Sequence, residues 1–265
     1  MLQTEKKVLR CDQGVDSGPC RTVYQTAGTQ WLEPVQVSAQ TILRMATSDK
    51  TLGSIRQMMN RLTDDDYLTF LKGYYDTGRA NFGDDWYYAD LLTFLHAAAT
   101  VLRPRRYLEI GVRRGRSLAV VSSVAPDCDV TGFDLWMENY AGMPNPGADF
   151  VFEELSNLGH RGSLELISGN SHETVPAFFD EHPGYMFDLI NVDGDHSEDG
   201  ARADLLTVIP RLAVGGVIVL DDITHPQHLY LEKVWDEVIG NNPAFSSAKY
   251  RELGYGVAVA VRKQG

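Results

Sequence analysis

From Arg105 onward, short apolar runs alternate with stretches of helical periodicity, and four of the runs carry an acidic residue at or near their C-terminal end. Runs of five to nine β-branched and aliphatic residues are strand-length, and the stretches between them are helix-length. RRYLEIG reads as a strand and Arg116 to Val124 as a helix; DVTGFDL is a strand, followed by a helix near Phe150 to Leu158. SLELIS, FDLINVDG and GGVIVLDD are three further strands, each followed by a helix: His172 to Glu181, Ser197 to Leu212 and His228 to Ile239. The tail KYRELGYGVAVAVRK reads as two strands joined at Leu253-Gly254. Strand and helix alternating at this spacing dictate an α/β fold, a Rossmann-like, doubly wound, mostly parallel seven-stranded sheet with a C-terminal antiparallel hairpin.

Ahead of this unit the sequence is less regular. Residues 1–50 are polar, with Gly14, Gly18, Pro19, Gly28 and Pro34 scattered as turn formers, which reads as an extended or partly ordered leader. Ile55, Met58, Met59 and Leu62 recur at helical spacing, and Thr63-Asp64-Asp65-Asp66 opens a second short helix, so residues 51–85 form an N-terminal helical cap. Gly73 to Asp85, rich in Gly, Asp and aromatics, reads as a loop before a helix over Trp86 to Leu102, either a lid loop or, through Tyr74, Tyr75 and Phe82, a set of hydrophobic staples for that helix, and 86–265 as the main domain. Trp235, on the last helix, is expected in the core, and His172 and His228 at helix starts on the surface.

Charge narrows the function. The 265 residues hold 36 acidic against 24 basic side chains, a net charge of −12, which repels polyanions; the basic group Arg103, Arg105, Arg106, Arg113, Arg114 and Arg116 is too short for a nucleic-acid footprint. No apolar run approaches a membrane span. Cys11, Cys20 and Cys128 are an odd count without zinc spacing, as in a reducing compartment. A cytoplasmic protein without nucleic-acid or membrane partners is expected, acting on a small molecule; a homo-oligomer is compatible with this.

In doubly wound sheets ligands bind beyond the carboxyl ends of the strands. The first strand ends Glu109-Ile110-Gly111-Val112-Arg113-Arg114-Gly115-Arg116-Ser117, a glycine turn into a helix N-terminus. A carboxylate at Glu109 suits a cationic or neutral ligand better than a diphosphate. Asp134, at the tip of the second strand, is placed to accept from ribose hydroxyls. The fourth strand ends Asp193-Gly194-Asp195-His196 and the fifth Asp221-Asp222; carboxylates crowded on adjacent strand ends favour a hard divalent cation, with Asp193, Asp221 and Asp222 as oxygen ligands for Mg²⁺, Mn²⁺ or Ca²⁺. His196 lies just beyond the strand end as a candidate base, and His225, before Pro226, in a loop over the site.

Glu109-x-Gly111 followed by Asp134 resembles the cofactor site of class I S-adenosylmethionine-dependent methyltransferases, over roughly Trp86 to the C-terminus. VDGDHSEDGARADL, with Asp-Asp ending the next strand, is similar to the metal-dependent O-methyltransferases of macrolide sugars (the macrocin and mycinamicin type) and to cephalosporin hydroxylase-like proteins; catechol and caffeoyl-CoA O-methyltransferases are more distant. The resemblance implies an S-adenosylmethionine-dependent O-methyltransferase of a small-molecule hydroxyl, of sugar or secondary-metabolite type. It implies cofactor contacts at Glu109, Gly111, Gly115, Ser117, Asp134 and Asp193, and adenine contacts at Gly169, Asn170 and Ser171. It further implies Mg²⁺ on Asp193, Asp221 and Asp222, a catalytic part for Asp193, and His196 as base, with His225 the second catalytic candidate from the residues themselves. Relatives often have Glu-Asp or Asp-Asn at 221–222, and the shorter Asp221 weakens the case for ligation there. The alternatives are a metal-independent methyltransferase, a hydroxylase-like enzyme, for which a 2-His-1-carboxylate spacing is not evident, and a non-catalytic S-adenosylmethionine-binding protein.

Overall fold

The structure, a computed structural model, describes residues 23–26, 29–32 and 35–264. Cys11, Cys20 and the first part of the leader lie outside the described residues. A short antiparallel pair, β1 (Val23–Thr26) and β2 (Thr29–Leu32), precedes helices α1 (Ala39–Ala46), α2 (Asp49–Met59), α3 (Asp66–Phe82) and α4 (Leu91–Leu102). The main unit then runs β3 (Arg106–Ile110), α5 (Arg116–Val124), β4 (Asp129–Asp134), α6 (Ala148–Leu158), β5 (Leu164–Ser168), α7 (Ser171–Glu181), β6 (Phe187–Val192) and α8 (Glu198–Val208). It closes with β7 (Leu212–Leu220), α9 (Tyr230–Trp235, continued by a wider turn over Asp236–Gly240), β8 (Phe245–Tyr250) and β9 (Val257–Arg262).

The seven main strands lie in the order β5-β4-β3-β6-β7-β9-β8, parallel except where β9 pairs antiparallel with β7 and β8. The expected sheet is therefore present. Residues alternating along each strand pack on opposite faces: Tyr107, Leu189, Val217 and Val219 face one apolar core, Leu108, Ile190, Ile218 and Leu220 the other. Trp235 is fully buried in the second core, its indole donating to Ser247 Oγ at 3.0 Å. Among the described residues no helix is long and apolar enough to cross a membrane.

Two expectations fail in the N-terminal third. Helix α1 lies within the stretch read as leader; Ser38 caps it, and Ala39, Ile42, Leu43 and Ala46 are buried against the core. Gly73 to Asp85 is not a lid loop but largely the second half of α3, a 17-residue helix capped by Asp65, whose Oδ1 accepts from Leu68 N at 2.8 Å. The buried residues Leu68, Leu71, Tyr75 and Gly78 fall on one helical face, and that packing outweighs the low helix propensity of Gly73 and Gly78. Gly78 is required: a Cβ there would lie 2.2 Å from the Trp86 ring. The next helix starts later than its sequence pattern implied, because Asp90 and Thr93 close a capping box ahead of Leu91.

Candidate active site

The pairing register brings the carboxyl ends of the strands level. Ile110 is opposite Phe133 and Val192, Val192 is opposite Leu220, and Asp134 is opposite Ser168. Chain order reverses between β3 and β6, where ligands of doubly wound sheets sit. Two backbone turns meet at that point. Gly111 (φ +92°) passes so close to β6 that a Cβ would lie 1.9 Å from the Asp193 carbonyl oxygen, while Asp193 N donates to Ile110 O at 2.9 Å.

The glycine turn is fixed from below and from the side. Glu109 is fully buried and accepts from the hydroxyls of Tyr107 and Ser117. Burial pushes its pKa up to about 8 despite those hydrogen bonds, and the Asp193 charge adds to the rise. Glu109 thus stands buried beneath the turn. Ser117 is likewise buried in the first turn of α5. Gly115 (φ +68°) starts α5, with Val151 packed where its Cβ would be. Asp134 receives Arg113 N at 2.6 Å on one oxygen and Trp136 N on the other, which leaves a lone pair on each oxygen for hydroxyl donors. Beyond β5, Gly169 (φ +135°) donates to Asp134 O at 2.9 Å, and Asn170 caps α7 by accepting from His172 N at 3.0 Å; Ser171 begins that helix. The first and second strand ends and the adenine candidates therefore form one continuous edge.

The ends of β6 and β7 hold the reactive side chains. His196 Nε2 lies 3.1 Å from Asp193 Oδ1, and its Nδ1 lies 3.8 Å from Asp222 Oδ2. Burial opposes the charged imidazole, but the Asp193 hydrogen bond and the charges of Asp193, Asp222 and Asp195 outweigh it, and the His196 pKa is raised. Asp222 is pushed up to about 6 by burial and by Asp193; Asp221 is raised well above the usual carboxylate range by burial, Asp193 and Asp222. Asp222 adopts φ +62°, a left-handed conformation uncommon outside glycine and found where a site over-determines the backbone. His225 N donates to Asp222 O at 3.0 Å, and its ring stacks on His228 at 4.6 Å and meets Tyr255 edge-on at 4.4 Å. His225 therefore lies in the loop that follows the Asp221-Asp222 strand end.

Four partners escaped the sequence reading. His228 is not a detached surface residue: its ring is 5.2 Å from that of His196. Tyr230 donates to the His196 carbonyl at 2.6 Å and fixes the loop, 34 residues away in sequence. Tyr107 could have been found, since positions 107 and 109 share a strand face. His172 lies 3.6 Å from the buried Asp204.

The three expected metal donors are not gathered around one point. Among the described residues no three His, Cys, Asp or Glu side chains converge to hold an ion. Asp193 and Asp222 approach the two ring nitrogens of His196, so the imidazole stands between them. The oxygen donors suit Mg²⁺ by chemistry, but as arranged they do not fit it.

Residues 108–223 match the family model of a methyltransferase domain. The matched stretch takes in less than half of the chain. Its boundaries span β3 to the end of β7 and include each of the strand ends just described. No curated protein matches the chain. Among solved structures, cofactor-bound Rv0187 from MTB is 19% identical, over 82% of this chain and 91% of that one, with a TM-score of 0.53. The O-methyltransferase TomG from Streptomyces achromogenes, involved in tomaymycin synthesis and solved with SAM, is 20% identical over 77% and 92%, with a TM-score of 0.54. The calicheamicin methyltransferase CalS11 is 18% identical over 80% and 91%, with a TM-score of 0.53. At these identities the likeness is one of fold.

Proposed function

We propose that this methyltransferase domain transfers a methyl group from S-adenosylmethionine to a hydroxyl of a small molecule of the sugar or secondary-metabolite type, with His196 as base. The observation that carries the reading is the imidazole of His196, held between Asp193 and Asp222 at the strand ends beside the Gly111 turn and Asp134. TomG and CalS11, an O-methyltransferase and a calicheamicin methyltransferase of the same fold, support the choice of acceptor class.

When bound, S-adenosylmethionine supplies a methyl carbon activated by its sulfonium. The turn from Gly111 to Ser117, the Asp134 carboxylate and the Gly169-Asn170-Ser171 edge bind and orient it. An alkyl hydroxyl is a poor nucleophile at neutral pH until its proton has somewhere to go. The Asp193 carboxylate keeps the His196 proton on Nε2, which leaves the Nδ1 lone pair as the base. As Nδ1 takes the hydroxyl proton, the imidazolium gains the neighbouring Asp222 charge. His225 and His228 stack beside it, the His228 ring 5.2 Å from that of His196. Magnesium is implied by the crowding of carboxylates at the strand ends and by the resemblance; Asp193, Asp221 and Asp222 are its candidate donors, and the reaction as written runs through His196 without it.

Calorimetry with S-adenosylhomocysteine tests the first half, and a screen of hydroxylated acceptors for S-adenosylhomocysteine release tests the second. His196→Gln is expected to lower turnover by about 10²- to 10⁴-fold with cofactor affinity unchanged, the range for a lost general base. Equal turnover in the variant would exclude His196. Activity in EDTA equal to that in Mg²⁺ would bear out the metal-free mechanism; an absolute Mg²⁺ requirement would overturn it.

A further inference from the structure

One carboxylate of the helical cap reaches into the turn between β3 and α5. Asp65 uses Oδ1 to cap α3, accepting from Leu68 N at 2.8 Å, and its Oδ2 meets Arg114 Nε at 2.8 Å and Arg116 Nη2. Both arginine side chains are largely withdrawn from water, at 14% and 13% exposure. Each is also seated on an aromatic ring: Arg114 lies 4.7 Å over Phe150 of α6, and Arg116 5.1 Å over Tyr67 of α3. Beside them Glu154 of α6, itself buried, accepts from Thr63 N at 3.0 and 3.1 Å and from the Thr63 hydroxyl at 3.2 Å. The segment from Thr63 to Asp65 is therefore tied at one end to α6 and at the other to the turn.

The turn requires such support. Gly111, Arg113 and Gly115 all adopt positive φ, and for Arg113 that conformation is disfavoured. The same Arg113 supplies the N–H that Asp134 receives. Arg114 and Arg116, two residues apart and partly buried, repel each other unless an anion lies between them, and Asp65 is that anion. If it were removed, the two guanidinium groups would separate and the turn would relax with them.

We propose that Asp65 is a positioning residue for cofactor binding: from the cap it clamps Arg114 and Arg116, and so holds the Gly111–Ser117 turn in the shape that receives the cofactor. The proposal rests on the cofactor reading above. It makes the cap part of the cofactor site although no cap residue need touch the ligand.

Asp65→Asn tests it cleanly, because asparagine still caps α3 while the charge between the arginines is lost. Asp49→Asn is the control, breaking the 2.7 Å pair of Asp49 with Arg79 inside the cap and away from the turn. Asp65→Asn is expected to weaken S-adenosylhomocysteine binding about tenfold by calorimetry, as for two partly buried charge-assisted bonds. It should raise the S-adenosylmethionine KM in step, while kcat at saturating cofactor changes by less than about twofold. Asp65→Glu should recover part of the affinity, and Asp49→Asn should bind like wild type. Equal affinity in Asp65→Asn, or an equal loss in Asp49→Asn, overturns the proposal. If Asp65→Asn does not fold, Arg114→Gln removes one arm of the clamp and reads the same constant, a loss supporting the proposal and no change overturning it. Wild-type protein that fails to bind S-adenosylhomocysteine takes down the cofactor reading itself, and that result is distinct from a variant that binds as well as wild type.

Discussion

Replacing Glu109 by glutamine should stabilise the protein, and by an amount that grows with pH. Glu109 is fully buried with its pKa at about 8, whereas the same side chain in the unfolded chain titrates near 4.5. The sign follows from linkage. A raised folded pKa means that the folded state holds a proton the unfolded state releases, so what this group contributes is fully present below about pH 4.5 and declines as pH rises to about 8. At about 1.4 kcal/mol per pH unit, roughly 3 kcal/mol has been lost by pH 7. The Glu109→Gln variant carries no such dependence. Its side-chain carbonyl oxygen can accept from Tyr107 and its amide can donate to the Ser117 oxygen, an exchange of hydrogen bonds that costs about 1 kcal/mol. The net gain at pH 7 is then about 2 kcal/mol. Urea unfolding of both proteins at intervals from pH 5 to pH 8 should show near parity at the acid end and a gap widening by about 1.4 kcal/mol per pH unit. A gap that does not change with pH, or a variant that is less stable at pH 8 than at pH 5 relative to wild type, would refute the assignment of a protonated, turn-supporting Glu109.

Other perturbations follow from the same geometry. Gly78→Ala drives a methyl into the Trp86 ring and should cost about 1–3 kcal/mol of stability in thermal or urea unfolding; a neutral result would contradict the packing of α3 on Trp86. Gly111→Ala meets both a positive φ and the Asp193 carbonyl, and should abolish S-adenosylhomocysteine binding in calorimetry. The pH profile of kcat/KM should have an acid limb with an apparent pKa above the ordinary histidine value of about 6.5, since the raised pKa keeps His196 protonated to higher pH and only the neutral form accepts a proton. That limb should vanish in His196→Gln. Asp193→Asn, which weakens the hold on Nε2, should lower kcat by about 10²-fold or more and shift the limb to lower pH.

Much of the main domain was legible because strand alternation and helix periodicity are local signals. Helix α5 and strand β4 fall where the pattern put them, and the strand-end residues Glu109, Asp134, Asp193, Asp221 and Asp222 were visible as acids closing apolar runs. The cap was harder to read. Three glycines and an aromatic cluster in residues 73–85 carry the local signature of a loop, and only the burial of Tyr75 and Gly78 against Trp86 makes residues 73–82 helical. What joins distant segments left no local trace: the Asp65 clamp spans 51 residues to Arg116, and the Tyr230 bond to the His196 loop spans 34. The carboxylate cluster was legible as composition at strand ends, but its outcome depends on where one ring stands. His196 between Asp193 and Asp222 turns an apparent ligand set into the cradle of the proposed base.

The central claim is that the site formed by the Gly111 turn and the carboxyl ends of β6 and β7 takes S-adenosylmethionine. Titration of wild-type protein with S-adenosylhomocysteine in a calorimeter tests it most directly. One saturable site per chain is predicted, and no binding at millimolar ligand by protein with an intact fold would contradict it.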